Sequence, residues 1–127
     1  MDAKEILRKL WFKAGETFSL VNAPCYIEEQ LAAEAGEVHF EVQKDSPFTV
    51  LVIRDRKEFD EKFVKTIESV KEDSLFWLIY PKLTGQFSSD INRDTLWAAM
   101  QPLGFRPVMM IAVDEDWSAM RIRPAKA

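Results

Sequence analysis

The sequence predicts an α/β fold in three layers, a mostly parallel sheet between helices with an antiparallel C-terminal hairpin edge. Three segments, Phe48–Ile53, Leu75–Tyr80 and Val108–Val113, are almost continuously apolar. Such strands need cover on both faces, as in a parallel sheet. Patterns typical of helices separate these segments, which favours strand–helix–strand units. The three residues 114–116 then join the third segment to a strand at 117–123, and so short a link permits only an antiparallel hairpin.

The composition is that of one small domain, 1–127. It has 47% hydrophobic residues, enough for a single core, and a net charge of −4 from 17 basic and 21 acidic side chains. General nucleic-acid binding needs concentrated positive charge, so we expect no nucleic-acid partner. The apolar runs fall far below the roughly 20 residues of a spanning helix, and no secretory signal is present, so we expect no membrane association. The single cysteine, Cys25, excludes an internal disulfide and favours the reducing cytoplasm.

The amino-terminal half carries a helix, a strand, a second helix and a second strand. The first helix, 2–13, has an apolar stripe that we expect to pack on the sheet. A short strand, 17–21, is followed by the turn Asn22-Ala23-Pro24, and Pro24 suits the first position of the next helix. That helix is expected to end near Gly36. The segment 38–42 alternates in polarity, as a half-exposed edge strand does.

The connection after this second strand is unusually short. Five residues, Gln43–Pro47, lead to the strand at Phe48, whereas a parallel crossover normally takes a dozen or more. Extended chain of that length covers roughly 17–20 Å at about 3.3 Å per residue. Either the link crosses the sheet nearly straight, or 38–42 is antiparallel or not a strand. The sequence leaves its direction open.

Two helical patterns lie in the carboxyl-terminal part. Their apolar positions are Phe59, Phe63, Ile67 and Val70 in the first, and Leu96, Trp97, Met100 and Leu103 in the second. Gly104 closes the second helix. Together with the strands, these helices define a Rossmann-like architecture. Trp77, Trp97 and Trp117 are interpreted as core aromatics, and Cys25 as a buried or half-buried inert thiol.

Ligands of an open parallel sheet bind outside the carboxyl ends of its strands. Polar side chains collect there in this sequence, and a long loop, 83–92, leaves the same edge. Asn92 can cap the following helix, whose amino end would then point toward the crevice. The candidate ligand-binding residues are Asn22, Asp55, Tyr80, Lys82, Asp90 and Arg93. The alternative is that these residues are helix caps and surface ion pairs of solvated loops.

The common cofactor and metal motifs are missing. None of the four glycines lies in the first strand-to-helix turn, where a dinucleotide or adenosyl cofactor needs close backbone approach. We therefore expect no cofactor. His39 is the only histidine and Cys25 the only cysteine, so we expect no metal site of histidine or cysteine ligands. No complete catalytic motif is present, which leaves enzymatic activity open and favours its absence.

The carboxyl-terminal motifs resemble a family of small bacterial proteins known only as a domain of unknown function. The matching residues are Tyr80-Pro81-Lys82, Asp90, Arg93-Asp94, Trp97, Gly104, Pro107, Asp114 and Trp117-Ser118. This resemblance implies no activity, substrate or catalytic residue. The chain is more distantly similar to class I methyltransferases, Rossmann folds that also end in an antiparallel hairpin. The missing glycine-rich turn implies a reduced relative that has lost the adenosyl site.

Two functional hypotheses follow from these observations. The first is a non-catalytic binding or regulatory module for an unknown small molecule or protein, with a homodimer through the C-terminal hairpin edge. The second is an enzyme or small-ligand binder that uses the strand ends, with Arg93 orienting an anionic ligand. Arg121 and Arg123 point to one side of the last strand. We interpret them as the charged guard of an exposed edge strand rather than as an anion site.

Overall fold

The computed structural model describes residues 2–44, 46–70 and 73–125. A six-stranded sheet in the order β2-β1-β3-β4-β6-β5 lies between two pairs of helices in this part of the chain. Strands β1 to β4 are parallel, whereas β6 runs antiparallel to both of its neighbours. The elements are α1 Ala3–Lys9, β1 Phe18–Val21, α2 Cys25–Ala35, β2 Val38–His39, β3 Phe48–Val52, α3 Arg56–Ile67, β4 Leu75–Pro81, α4 Arg93–Met100, a 3₁₀ turn Gln101–Leu103, β5 Phe105–Ala112 and β6 Trp117–Pro124. The predicted fold class is confirmed.

Two apolar clusters explain why β3 and β4 are apolar without interruption. Side chains alternate along a strand, so neighbours face opposite layers. In β4, Trp77 and Ile79 pack in the cluster that contains α1 and α2, whereas Phe76 and Leu78 pack in the cluster of α3 and α4. All four are at most 2% exposed. Burial on both faces is therefore the cause of the continuous apolar run.

The third apolar run has a different environment from the one that the sequence predicted. Strand β5 is the outermost strand, because β6 lies between it and β4. Val108 and Met110 are 38% and 39% exposed, so the prediction that this run is covered on both faces is wrong. Pro107 has no N–H to offer a partner strand, and the register shifts between Pro107 and Met109. Both features shorten the part of this edge along which a further strand could pair regularly.

The interpretation of Arg121 and Arg123 as edge guards is also wrong, because β6 is an interior strand. The guanidinium of Arg121 lies 5.5 Å from the ring centre of Trp11, and burial lowers its pKa. Trp11 has φ of 65°, which turns the chain and ends α1 at Lys9 rather than at the predicted residue 13. The same turn places the ring of Trp11 edge-on to Trp77.

Strand β2 is parallel to β1 but much shorter than predicted. Only Val38 and His39 pair with β1, opposite Phe18 and Ser19. Because β2 ends beside the second residue of β1, the chain has little distance to return before β3 begins. The link lies close to β1, where Gln43 N donates to the Ser19 hydroxyl at 3.2 Å. Because β2 ends at His39, the connection to β3 comprises residues 40–47 and is longer than the predicted five residues.

Three local predictions need correction. Trp97 is 44% exposed and Leu103 45%; Trp97 lies about 100° around the helix from the buried Leu96, and so leaves the core face. Cys25 is exposed, because it is the first residue of α2 at the edge of the sheet. Pro24 precedes α2 as its N-cap instead of occupying the first helical position. Within the described ranges no helix combines the length and apolar content required to cross a bilayer.

Candidate functional site

The loop 82–92, which we call the β4–α4 loop, crosses the carboxyl ends of the parallel strands. Its first half is held against the hairpin turn by Asp116, whose carbonyl oxygen accepts from Lys82 N at 2.8 Å. The carboxylate of Asp116 accepts from the backbone and side-chain nitrogens of Gln86 at 2.9 and 2.8 Å. A Cβ at Gly85 would lie 2.8 Å from Asp116 Cα, so the close approach of loop and hairpin requires glycine here.

The second half of the loop is held on the amino end of α3. Ser89 Oγ donates to the Arg54 carbonyl at 2.6 Å, and Asp90 Oδ1 accepts from Arg56 N at 2.8 Å. Asp55 caps the same helix, since its Oδ1 accepts from the backbone N–H of Glu58 at 2.8 Å. Asp55 and Asp90, two of the predicted site residues, therefore satisfy helix donors. They do not converge with Lys82 on a cavity.

Asn22, a third predicted residue, occupies the place where the order of the strands reverses. The chain moves from β1 to β2 on one side and returns to β3 on the other, and such switch points commonly form ligand crevices. Asn22 has φ of 62°, a left-handed conformation that asparagine tolerates. Its Nδ2 donates to the Val52 carbonyl at 2.9 Å. The side chain itself thus bridges the ends of β1 and β3.

Arg54 and Glu58 form a close ion pair beside this bridge. Arg54 donates from its backbone N to Glu58 Oε1 at 2.7 Å and from Nη2 to Oε2 at 2.6 Å. The Glu58 side chain is only 16% exposed, whereas that of Arg54 is 58% exposed. The hydrogen bond from the Arg54 side chain is the largest cause that lowers the pKa of Glu58. Each charge of the pair is therefore compensated by the other.

The other three predicted residues, Tyr80, Lys82 and Arg93, line one cavity of about 420 Å³ between the end of β4, the start of β6 and the start of α4. We call it the cationic cavity. Burial raises the pKa of Tyr80, although Arg93 and the hydroxyl of Ser118 oppose the shift. Arg93 Nε lies 3.5 Å from the carboxylate of the exposed Asp94. Asn92 caps α4 as predicted, accepting from Thr95 N at 3.0 Å.

A second cavity of about 420 Å³ lies near the strand-order switch, and we call it the aromatic cavity. Trp117 Nε1 donates to the Tyr26 hydroxyl at 2.7 Å, and the rings of Phe87 and Trp117 are 5.3 Å apart. The lining consists of Pro24, Tyr26, Arg54, Gln86, Phe87, Ser88 and Trp117. None of these was a predicted site residue. The apolar Phe87 in a polar loop was a weak signal, because the loop also contains the exposed Leu83. Tyr26 and Trp117 are 91 positions apart and gave no signal.

Two features of the described residues concern metal and cofactor binding. Within residues 2–44, 46–70 and 73–125, no three His, Cys, Asp or Glu side chains are grouped so that they could hold a metal ion. The turn from β1 into α2 contains Asn22, Ala23 and Pro24 and no glycine. The backbone of this turn therefore cannot approach the phosphate of a nucleotide cofactor as closely as a glycine would permit. The cationic and aromatic cavities are the ones that lie at the carboxyl edge of the sheet, where this architecture binds ligands.

Comparison with known proteins shows similarity in structure only. No protein-family model matches the chain, and no curated protein matches it. The SAM-dependent methyltransferase from Aquifex aeolicus is 14% identical with a TM-score of 0.61, over 95% of this chain and 88% of that chain. The ribosomal protein L11 methylase from Lactobacillus delbrueckii subsp. bulgaricus is also 14% identical, with a TM-score of 0.56 over 98% and 77%.

A third structure, the rRNA methylase from Streptococcus thermophilus, is 6% identical with a TM-score of 0.51, over 96% of this chain and 93% of that chain. The similarity thus extends over almost the whole of this chain in each comparison. Identities this low show the fold and nothing finer. The resemblance to the uncharacterised bacterial family stays a prediction. The chain has the Rossmann-like fold of class I methyltransferases.

Proposed function

We propose that this chain is a non-catalytic binding module that has kept a methyltransferase-type fold, and that it binds a small anionic ligand in the cationic cavity. One observation carries the proposal: Tyr80, Lys82 and Arg93 line a single cavity at the carboxyl end of β4. The carboxyl edge of a parallel sheet is where this architecture binds ligands. A volume of about 420 Å³ lies within the usual range of small-molecule sites.

The charges around this cavity favour an anion. Lys82 and Arg93 contribute two positive charges and Asp94 one negative charge. Arg93 and Asp94 are 62% and 84% exposed, so water weakens their mutual attraction and an anionic ligand competes with it readily. The Tyr80 hydroxyl keeps its proton at neutral pH, because the ordinary pKa of tyrosine is about 10 and burial raises the pKa here. Its hydroxyl can then donate a hydrogen bond to a carboxylate or phosphate oxygen.

The turn after β1 supports a binding role without methyl transfer. An adenosyl cofactor held in the usual way needs a glycine there for close backbone approach. In this chain the Asn22 amide spans the gap to Val52. Pro24 also removes one backbone N–H from the start of α2. A cofactor in that position would have to displace the Asn22 hydrogen bond and would find fewer donors.

Calorimetric titration at low salt with inorganic phosphate and with succinate tests the anion site. We expect one binding site, and about fivefold weaker binding in Arg93→Gln or Lys82→Met, the upper end for a solvent-exposed charge pair. Arg8→Gln is the matched control, because Arg8 is 73% exposed on α1 and pairs with Glu5 at 3.7 Å. Equal affinities in Arg93→Gln and Arg8→Gln would contradict the proposal.

A separate titration with S-adenosylmethionine tests the absence of catalysis. We expect no binding heat and no shift of the melting temperature. Stoichiometric binding, or transfer of a labelled methyl group to any added acceptor, would overturn the non-catalytic part and leave the anion site to be judged by its own titration.

Self-association through the hairpin edge is a further part of this proposal. The outer side of β5 has no neighbouring strand in the described part of the chain, and Val108 and Met110 are exposed there. Sedimentation velocity should show a dimer that Met110→Lys dissociates, because paired chains would bring the new charges together. A monomer at every concentration would rule the dimer out.

A further inference from the structure

We infer that the aromatic cavity is a second binding site, for an uncharged planar heteroaromatic ring that carries a hydrogen-bond acceptor. This inference concerns a different cavity and a different ligand from the proposed anion site. The cavity has about the volume of the cationic one. It lies above the ends of β1 and β3, on the other side of the β4–α4 loop.

The lining favours a flat ring. Phe87 presents its ring to the cavity and packs, tilted by 44°, against the ring of Trp117, which is only 2% exposed. Tyr26 and Pro24 add apolar surface on the side of α2. Tyr26 and Phe87 are 42% and 38% exposed although both are large and apolar. A planar ligand would bury these surfaces and gain the stacking that aromatic rings favour.

The charge state of the cavity favours an uncharged ligand. Arg54 is the only ionisable cation in its lining, and its guanidinium is already bound to Glu58 at 2.6 Å. Two Nε contacts to the same carboxylate, at 3.1 and 3.2 Å, hold the guanidinium further. An anionic ligand would meet the Glu58 carboxylate as well as Arg54. The flat face of the guanidinium remains suitable for stacking.

The Tyr26 hydroxyl is the reason that we expect a hydrogen-bond acceptor on the ligand. The Tyr26 oxygen accepts the indole N–H of Trp117, which fixes its position and leaves its own hydrogen free to donate. Among the residues that the structure describes, no acceptor for that hydrogen is found. A tyrosine hydroxyl both donates and accepts. A ring nitrogen or ring carbonyl of the ligand would complete its hydrogen bonding.

The walls are already in place without a ligand. Phe87 and Ser88 lie between two fixed points of the loop, Gln86 on Asp116 and Ser89 on Arg54. A wall held on both sides loses little conformational freedom when a ligand binds, and preorganisation of this kind favours affinity.

The test compares two probes with the same two-ring shape. Benzimidazole has a ring nitrogen that accepts a hydrogen bond, whereas indole has a C–H at that position; both are used at a pH where benzimidazole is uncharged. We expect benzimidazole to bind about fivefold more tightly than indole, the contribution of one hydrogen bond. In nitrogen-15 NMR spectra, it should shift the side-chain N–H signal of Trp117 more than those of Trp11, Trp77 and Trp97.

Three variants locate the probe. Tyr26→Phe should reduce benzimidazole binding to the level of indole and leave indole unchanged, which separates the hydrogen bond from any general disturbance. Phe87→Ala should weaken both probes. Phe40→Ala is its control, since Phe40 is 50% exposed and outside the cavity, and it should bind both as the wild type does.

The inference is wrong if benzimidazole does not bind, if indole binds equally well, or if Tyr26→Phe leaves their ratio unchanged. It is also wrong if benzimidazole-5-carboxylate binds more tightly than benzimidazole, because the site would then select an anion. The phosphate and succinate titrations do not depend on Tyr26 or Phe87, so the two proposals stand or fall separately.

Discussion

The two cavities beside the β4–α4 loop have nearly the same volume, about 420 Å³ each, and opposite chemistry. Each contains an arginine with an acidic neighbour. In the aromatic cavity the acidic partner is four residues away, and the Arg54–Glu58 contact is 2.6 Å. In the cationic cavity it is the adjacent residue, and the Arg93–Asp94 contact is 3.5 Å. The difference in charge compensation, rather than in size, separates the ligands that we assign to them.

Local geometry explains this difference. Glu58 is the third residue of α3, and its carboxylate reaches back past the N-cap Asp55 to the backbone N and the guanidinium of Arg54. Adjacent side chains of a helix, by contrast, point about 100° apart. Arg54 and Glu58 therefore satisfy each other around the start of α3. Arg93 and Asp94 begin α4 and extend into solvent, which leaves Arg93 available to a ligand. The comparison predicts that a substitution in the lining of one cavity changes ligand affinity at that cavity alone. A substitution that displaces the shared β4–α4 loop should change ligand affinity at both cavities.

The largest effect is expected for Gly85→Ala. The new Cβ would lie 2.8 Å from the Asp116 backbone, and overpacking of this kind costs about 2 kcal/mol of unfolding free energy. Both ligands should bind more weakly, because the loop forms a wall of both cavities. Urea denaturation and the two titrations measure this. The control is Ser88→Ala, at an exposed position of the same loop, which should change stability by less than about 0.5 kcal/mol. If Gly85→Ala were as stable as the wild type, the steric argument would be refuted.

Next in size is the reciprocal response of the two sites. Arg93→Gln should reduce phosphate affinity about fivefold and leave benzimidazole affinity at the wild-type value. Phe87→Ala should do the reverse, since stacking lost at a ring contributes about 1 kcal/mol. Calorimetric titration of each of the two variants with phosphate and with benzimidazole checks this prediction. If either variant weakened both ligands equally, the two cavities would behave as one site and the comparison would fail.

Asp55→Ala should lower stability by about 1 kcal/mol, the usual contribution of a helix N-cap. Both ligand affinities should stay unchanged, because Asp55 accepts from Glu58 N and lines neither cavity. Asp2→Ala is the matched control at the N-cap of α1, where the accepted hydrogen bond is 3.1 Å. A lower phosphate affinity in Asp55→Ala alone would restore Asp55 to the site.

The smallest effect concerns the Arg54–Glu58 pair. Glu58→Gln should lower stability by about 0.5 kcal/mol at neutral pH, because Arg54 is well exposed and solvent screens the pair. The pKa of Glu58 is lowered in the folded chain. The Glu58 carboxylate therefore stabilises the folded chain at pH values above its pKa in the unfolded chain. This stabilisation is lost as the pH falls through the pKa of Glu58 in the folded chain. Urea denaturation should show the difference from wild type disappearing in acid.

The same variant sharpens the comparison of the cavities. Without the Glu58 charge, Arg54 is free to attract an anion, so Glu58→Gln should bind benzimidazole-5-carboxylate more tightly than the wild type does. A stability difference that persists in acid, or an unchanged carboxylate affinity, would show that Arg54 is not neutralised by Glu58.

The sequence was sufficient for the elements whose signals are local. The sequence predicted the N-caps Asp2 and Asn92, the helix end at Gly104 and the doubly buried strands β3 and β4 from spacing and residue type within a few positions. The Val108–Val113 run failed as a guide to burial. A run of apolar residues indicates that a strand contacts other apolar residues on at least one face. It does not indicate the position of that strand in the sheet.

The predicted site residues also divide into those that the sequence placed correctly at a cavity and those that it did not. Tyr80, Lys82 and Arg93 are close because the long loop 82–92 leaves the end of β4 and returns to the same place where α4 begins. Asp55 and Asp90 were predicted from the same rule, yet unpaired helix donors of α3 bind both carboxylates. No sequence rule distinguishes a carboxylate that binds a ligand from one that caps a helix.

By itself, then, the sequence determined the fold class and the polar edge of the sheet, because periodicity and residue type act over neighbouring positions. Only the tertiary structure decided that β6 is interior and β5 outermost, and that Tyr26 meets Trp117 from 91 positions away. It also decided that Asn22 bridges to Val52 across the strand-order switch. These outcomes depend on how strands arrange side by side, and that arrangement is set by packing between distant segments.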